Sequence, residues 1–388
     1  MKRKISKVLI YAGILLFVFC LGAAVTYFLM PGNALAQQID SQKGNVSSLK
    51  AYDDVRKFYG NFSKTIDVSK MNLSGKADII PTLWFNQKTV WPSKDKMPPG
   101  CDPVKILENA KNTGLGVRDL HKQGITGKGV NVAIIDQPLF QDHPEFSGKI
   151  MKYKDFDCKS DSSMHGPAVA SLLVGNSIGT APGARLYYAA APSWLADAGY
   201  YARALDWIVE ENRKLPSGEK IRVVSVSAAP SGSGSPFTKN NDQWDKSVEA
   251  TIKEGILILD CTQNRGIVSS CYFNKGDVEN PSAYKPGYPG STGASGQSDD
   301  ILVPTSPRTT AEEYQKGDLS YQYTGRGGLS WGIPYCAGVL AMGWQVNPEL
   351  TSDQIVDLMF KSAYKTSDKA MIIDPPEFIK LVKATMKD

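Results

Sequence analysis

The chain has 388 residues, longer than one average domain and suited to one large α/β domain with an appendage. Its formal net charge is +5, and Lys2, Arg3, Lys4 and Lys7 supply four of those charges, leaving +1 for everything after them. That balance carries no nucleic-acid footprint, so nucleic acid is not expected as a partner.

Behind the basic start, Val8 to Met30 form 23 consecutive residues without a charge. Such a run spans a bilayer and exceeds the roughly 7 to 15 apolar residues of a signal-peptide core. Lys and Arg on the short N-terminal side predict residues 1–7 in the cytoplasm, residues 8–30 as a transmembrane anchor, and the rest of the chain outside. Ala34-Leu35-Ala36 also fits a signal-peptidase site, so the alternative is a secreted chain cleaved after Ala36.

Residues 31–100 are less orderly. Gln37 to Gly44 and Ser93 to Gly100 are polar or Pro/Gly-rich linkers, and only Ile79 to Phe85 with Thr89-Val90-Trp91 suggest strands. The region reads as a stalk, an accessory arm or a propeptide-like segment before a larger domain at 101–388.

Within that domain, Asn131 to Ile135 is a nearly continuous apolar and β-branched run, as expected of a parallel strand buried on both faces. Asp136 ends it, where open α/β sheets place their ligands. A turn aspartate capping the next helix is the plainer reading of that residue alone. Further strands are expected at Ala184 to Ala189, Ile221 to Ser227 and Gly255 to Leu259, with helices at Tyr200 to Arg213 and Asp242 to Glu254. This alternation predicts a doubly wound, mainly parallel sheet flanked by helices.

The chain has three histidines, so any imidazole base is His121, His143 or His165. His121 lies in the polar run Arg118 to Gly124 and is expected on the surface. His143 precedes Pro144, which holds it extended, and is expected to cap a turn or face solvent. His165 heads Ala168 to Val174, small and apolar all round as a buried helix would be. It follows the strand-terminal Asp136 by 29 residues.

Ser330 stands after Gly325-Arg326-Gly327-Gly328, which permits close backbone approach. A compact helix rich in Ala, Gly and Met is expected over Ile333 to Trp344. A serine at such a helix start sits among unpaired backbone N–H donors able to stabilise an oxyanion. Asn264, in the Asn-Arg-Gly that follows the strand ending at Leu259, reads most simply as a turn residue. The last segment, Lys361 to Asp388, reads as one or two short surface helices. Six cysteines include Cys20 in the apolar span; Cys101, Cys158, Cys261, Cys271 and Cys336 leave an odd thiol, and Cys261 with Cys271 or Cys101 with Cys158 are the pairings open in an oxidising compartment.

Together Val132-Ala133-Ile134-Ile135-Asp136, His165-Gly166-Pro167-Ala168-Val169-Ala170, Gly255-Ile256-Leu257-Ile258-Leu259-Asp260-Cys261-Thr262-Gln263-Asn264-Arg265-Gly266 and Gly328-Leu329-Ser330-Trp331-Gly332-Ile333-Pro334 resemble the motifs of the subtilisin-like serine proteases. The order Asp, His, Ser is that family's order. The chain departs from the pattern at Pro167 and Leu329, where the family has Thr, and at Gly332, where it has Ala. The resemblance covers about Gly114 to Ala363. It implies the subtilisin fold and a triad in which Ser330 attacks a peptide carbonyl, His165 acts as base and then acid, and Asp136 orients His165. It also implies an oxyanion hole made by the Asn264 side chain and the Ser330 backbone N–H.

By the same resemblance, Ser227-Ala228-Ala229 matches the segment beside the substrate, so polypeptide substrates are expected to pair with it along an exposed strand edge. Gln263 stands where the family commonly has Gly, in the wall of the pocket for the side chain before the cleaved bond. A long amide there is expected to disfavour large apolar residues. No cofactor is expected: Glu145 could stand for the carboxylate that in many members of the family joins a calcium loop, but the stretch Val174 to Pro182 is too short for that loop. The rival functional class is an inactive relative that keeps the fold as a binding or signalling module, which the three departures keep open.

Overall fold

The structure is a computed structural model of the chain and describes residues 49–56, 67–262, 266–290 and 299–386. A short strand β1 (Trp84–Asn86) precedes helices α1 (Pro103–Asn109) and α2 (Val117–Lys122). The expected alternation follows: β2 (Asn131–Asp136), β3 (Ile150–Asp155), α3 (His165–Val174), β4 (Arg185–Ala190), α4 (Ala198–Lys214), β5 (Ile221–Val226), α5 (Asn241–Lys253) and β6 (Leu257–Asp260). Then come β7 (Val268–Phe273), β8 (Tyr284–Pro286), β9 (Ile301–Ser306), β10 (Arg308–Glu312) and β11 (Ser320–Thr324). The chain closes with α6 (Leu329–Val346), α7 (Ser352–Ser362), β12 (Tyr364–Lys365), β13 (Met371–Ile372) and α8 (Pro375–Ala384).

Strands β3-β4-β2-β5-β6 form a parallel sheet with β2 at its centre. Its side chains explain that place. Val132 and Ile134 enter the core built by α3 and α6, while Ala133 and Ile135 enter the opposite core with Tyr201, Leu205 and Ile208 of α4 and Trp244 and Val248 of α5. A strand covered on both faces needs apolar residues at every position, and each fully buried Val or Ile contributes roughly 1.5–3 kcal/mol. Helix α6 packs on α3, β5, β7 and β9. A second sheet, β12-β13-β9-β7-β8, is mixed, and a third, β1-β11-β10, is antiparallel.

Before residue 100, residues 49–56 and 67–99 are tied into this body. Of the expected strand at Ile79 to Phe85 only its end is extended, because Ile80–Thr82 is a single 3₁₀ turn around Pro81, which has no N–H to give to a ladder. Thr89-Val90-Trp91 forms no strand. β1 pairs with β11, Trp84 opposite Thr324. Leu49, Val55, Val68, Leu73, Ile80, Leu83, Phe85 and Met97 then share a core with Leu107 of α1 and Tyr323 of β11.

The end of the chain also differs from expectation. Rather than surface helices it forms the β12–β13 hairpin, whose β13 extends the second sheet beside β9, and then α8. Phe378, Ile379 and Val382 make α8 amphipathic and are buried. Phe378 sits where a Cβ on Gly343 would come within 2.6 Å of its ring, so α8 seats on α6 only because residue 343 has no side chain.

Val8–Met30 lies outside the described residues, and among the described residues no helix is long and apolar enough to cross a membrane. Cys101, Cys158, Cys261, Cys271 and Cys336 are free thiols, so neither pairing considered above is formed.

Candidate active site

Asp136 is the last residue of β2 and is buried with 1% of its surface exposed. Its Oδ1 accepts the Gln137 N–H at 2.8 Å and lies 2.7 Å from His165 Nδ1. His165, itself 4% exposed, opens α3. The hydroxyl of Ser163 accepts the N–H groups of His165 and Gly166, both at 3.1 Å, and so caps the start of the helix. Gly166 lets this start approach the β2 end: a Cβ there would strike the Gln137 carbonyl and lie 2.7 Å from the Tyr188 hydroxyl. A carboxylate on Nδ1 selects the tautomer protonated there, which is the form whose Nε2 is basic.

Ser330 is the second residue of α6, which begins four residues before the helix start expected from sequence. Pro334 therefore sits inside the helix, where it has no N–H for the carbonyl of Ser330 one turn earlier. Ser227, just beyond β5, compensates by donating its hydroxyl to that carbonyl at 2.8 Å. In return the Ser330 hydroxyl donates to the Ser227 carbonyl at 3.2 Å. Because Ile135 pairs with Val226, this exchange occurs beside the end of β2.

The next residue, Trp331, was not anticipated as part of the site. Its ring lies 5.3 Å from the His165 ring, centroid to centroid, and is 4% exposed. The only sequence signal was its position directly after Ser330. Ser163, the cap of α3, was also missed; a Ser two residues before His165 is ordinary capping chemistry.

The other candidate residues are placed as follows. Ala228 is buried and its carbonyl accepts the Cys261 N–H at 2.9 Å, which joins the segment after β5 to the one after β6. The Ala229 carbonyl accepts the Ser235 hydroxyl at 2.7 Å. Gln263 and Asn264 lie outside the described residues.

Of the remaining histidines, His143 takes the expected capping role from a buried position, and His121 is only partly exposed. His143 is fully buried: its Nδ1 accepts the Glu145 N–H at 3.2 Å, the capping role anticipated, while Nε2 bonds the Ser320 carbonyl at 3.0 Å. His121 is half-buried with Nε2 2.9 Å from the Thr180 carbonyl. Burial holds the pKa of both rings below the usual histidine value. Both contacts join segments far apart in the chain, which local residue type does not reveal.

Glu145 is buried and engaged by its own protein. Its carboxylate accepts N–H bonds from Ser177 at 2.9 Å and Ile178 at 3.3 Å, the Tyr321 hydroxyl at 2.8 Å, and the Ser177 hydroxyl. Those four donors occupy the lone pairs a cation would need. Among the described residues no cluster of His, Cys, Asp and Glu has the makings of a metal site. Burial also raises the thiol of Cys336 to about 12 and those of Cys158, Cys261 and Cys271 above the usual range, so they stay protonated and unreactive.

An open parallel sheet carrying a buried Asp–His couple at its carboxyl edge, with Ser330 in the first turn of the helix that packs on it, is the arrangement of a subtilisin-like fold. The sequence profile of the Subtilase family matches residues 127–374, and the chain belongs to that family of serine proteases, whose substrates are polypeptides. It is 25% identical over 312 residues to serine protease AprX of Bacillus subtilis (strain 168), covering 69% of each chain. It is 25% identical over 262 residues to subtilisin E of the same organism, a match spanning 63% of each chain. Among solved structures, subtilase cytotoxin SubAB superposes with a TM-score of 0.55 at 15% identity, over 70% of this chain and 95% of that one. The likeness to SubAB is one of fold.

Proposed function

We propose that the chain is an extracytoplasmic serine endopeptidase that cleaves polypeptides through an acyl-enzyme. Ser330 is the nucleophile, His165 takes its proton and returns it to the leaving amine, and Asp136 holds the His165 tautomer and stabilises the imidazolium. The observation that carries this reading is the 2.7 Å contact of Asp136 Oδ1 with His165 Nδ1, on an imidazole whose ring lies 5.3 Å from that of Trp331, the residue after Ser330. Asn264 and the Ser330 N–H stabilise the oxyanion. The substrate backbone runs along Ser227, Ala228 and Ala229, and Gln263 narrows the pocket for the residue before the cleaved bond. Val8 to Met30 anchors the chain in the membrane, with cleavage after Ala36 and secretion as the alternative.

A second reading, an inactive relative used for binding, draws on the bond from the Ser330 hydroxyl to the Ser227 carbonyl, which turns the hydroxyl proton toward a backbone acceptor. One experiment separates the two. The purified protein is expected to be labelled by a fluorophosphonate serine-hydrolase probe, and Ser330→Ala to abolish the label. Absence of label on the folded wild type, or full labelling of the variant, would remove the enzyme reading.

A further inference from the structure

We infer that residues 49–56 and 67–100 are a permanent part of the catalytic body, and that Trp84, acting through Trp331, is a positioning residue for the His165 ring. This role for Trp84 rests on the serine-peptidase reading and on a continuous line of contacts. Arg56 lies over the Trp84 ring with its guanidinium carbon 3.6 Å from the ring centroid. Trp84 meets Trp331 edge to face, centroids 6.5 Å apart at 88°. Trp331 in turn packs on the imidazole of His165 at 5.3 Å.

Each member of this line is fixed from the side. The Trp84 indole N–H and Arg56 Nη1 both donate to Gln322 Oε1 at 2.9 Å, so one buried amide on β11 sets the ring and the cation together. Arg56 is fully buried and ion-paired with Asp54. Asn86, two residues after Trp84, donates to Glu312 of β10 at 2.7 Å, and the Tyr323 hydroxyl bonds the Pro81 carbonyl. Gly325, in the turn that leads to Ser330, presses so close to Pro81 and Thr82 that a Cβ would come within 2.5 Å of the Thr82 backbone. The segment thus touches the site twice, at the turn that delivers Ser330 and at the aromatic ring that backs His165.

A discarded propeptide would cover a substrate groove from outside and leave a finished enzyme behind. Here departure would strip a strand from the β1-β11-β10 sheet, expose the core shared with Leu107 and Tyr323, and remove the edge-to-face contact on Trp331. A ring free to change rotamer does not hold its neighbour, and small misplacements of a catalytic base lower kcat more than they change binding.

The test uses the full chain. After fluorophosphonate labelling and isolation under native conditions, peptides from 67–100 are expected in the labelled species. Trp84→Ala is expected to lower kcat about tenfold with KM changed less than about twofold, and Trp84→Phe, which keeps an aromatic edge, to recover most of it. The His165 ring resonances, shifted by the Trp331 ring current, are recorded in the same proteins; they report ring position whether or not Ser330 reacts, and are expected to move in Trp84→Ala and much less in Trp84→Phe. A labelled species lacking 67–100, or a folded Trp84→Ala with unchanged kcat and unchanged His165 resonances, overturns the inference. If Trp84→Ala does not fold, a Trp84→Leu variant that folds with wild-type kcat and His165 resonances overturns it equally. Unlabelled wild type with Trp84-dependent His165 resonances would instead refute the nucleophile and leave the positioning contact standing.

Discussion

Asp136 and His165 are 29 residues apart in the chain, yet Oδ1 of one lies 2.7 Å from Nδ1 of the other, and both are buried. The approach depends on β2 ending where α3 begins and on Gly166 having no side chain to hold the two apart. Asp136→Asn keeps the shape of this contact and inverts its hydrogen-bond preference, so the imidazole is held in the wrong tautomer. The expected result is a fall in kcat of roughly 10⁴-fold with thermal stability little changed. Steady-state kinetics beside a melting curve check it, and near wild-type turnover would exclude Asp136 from the mechanism.

Ser227 is expected to matter through its hydroxyl. It caps the Ser330 carbonyl that Pro334 leaves without a helical donor. In Ser227→Ala that half-buried carbonyl loses its partner, with a cost of about 1 kcal/mol or somewhat more. The double variant Ser227→Ala with Pro334→Ala restores a backbone donor, so the loss from Ser227→Ala is expected to shrink in that background. Equal losses in both backgrounds, measured by denaturant unfolding, would refute the pairing.

Glu145 closes the turn after α3 without help from a cation, since Ser177, Ile178 and Tyr321 supply its hydrogen bonds. Chelation with EDTA is therefore expected to shift the melting temperature by less than about 5 °C, because a cation bound only to the folded state would stabilise it by mass action. Glu145→Ala leaves those donors unmet and is expected to cost on the order of 2 kcal/mol. Calorimetry in the presence and absence of chelator reads both outcomes.

Glu312 gives a pH dependence with a definite sign. It is fully buried, and burial raises its pKa to about 7, against the opposing pull of Arg56 and the hydrogen bond from Asn86. Between the unfolded carboxyl value and about 7 the folded state binds the extra proton, so this residue's contribution to stability is complete at low pH and falls as pH rises through that window. Glu312→Gln is expected to flatten the decline: the variant melts about 2–5 °C above the wild type at pH 8 and close to it at pH 5. A difference of the opposite sign, or one independent of pH, would contradict the assignment.

The central sheet was legible because every position of Asn131 to Asp136 is apolar or terminal, a pattern that only burial on both faces explains. His165 was legible for a related reason, as a polar residue at the head of a helix with no polar face. What escaped was decided by contacts across long stretches of chain. His121 and His143 each bond a carbonyl brought to them by folding. The start of α6 was placed too late because Pro334 reads locally as a first-turn residue; the Ser227 hydroxyl that makes it tolerable further in lies 103 residues away. Trp331 and Trp84 carried no period or motif that marked them.

The pairing of β1 with β11 also constrains how the molecule is made. Trp84 and Gln322 are separated by 238 residues, so β1, the earliest strand among the described residues, has its partner among the late ones. Until β11 is synthesised, β1 has no ladder to join, whereas β2, β4, β5 and β6 assemble from neighbours closer in the chain. Closing so long a loop costs little more than closing a moderate one, but it has to wait for the later segment. The ring that backs His165 belongs to α6, which follows β11, so the chain delivers Asp136 and the strands around it well before the aromatic contact that braces the imidazole.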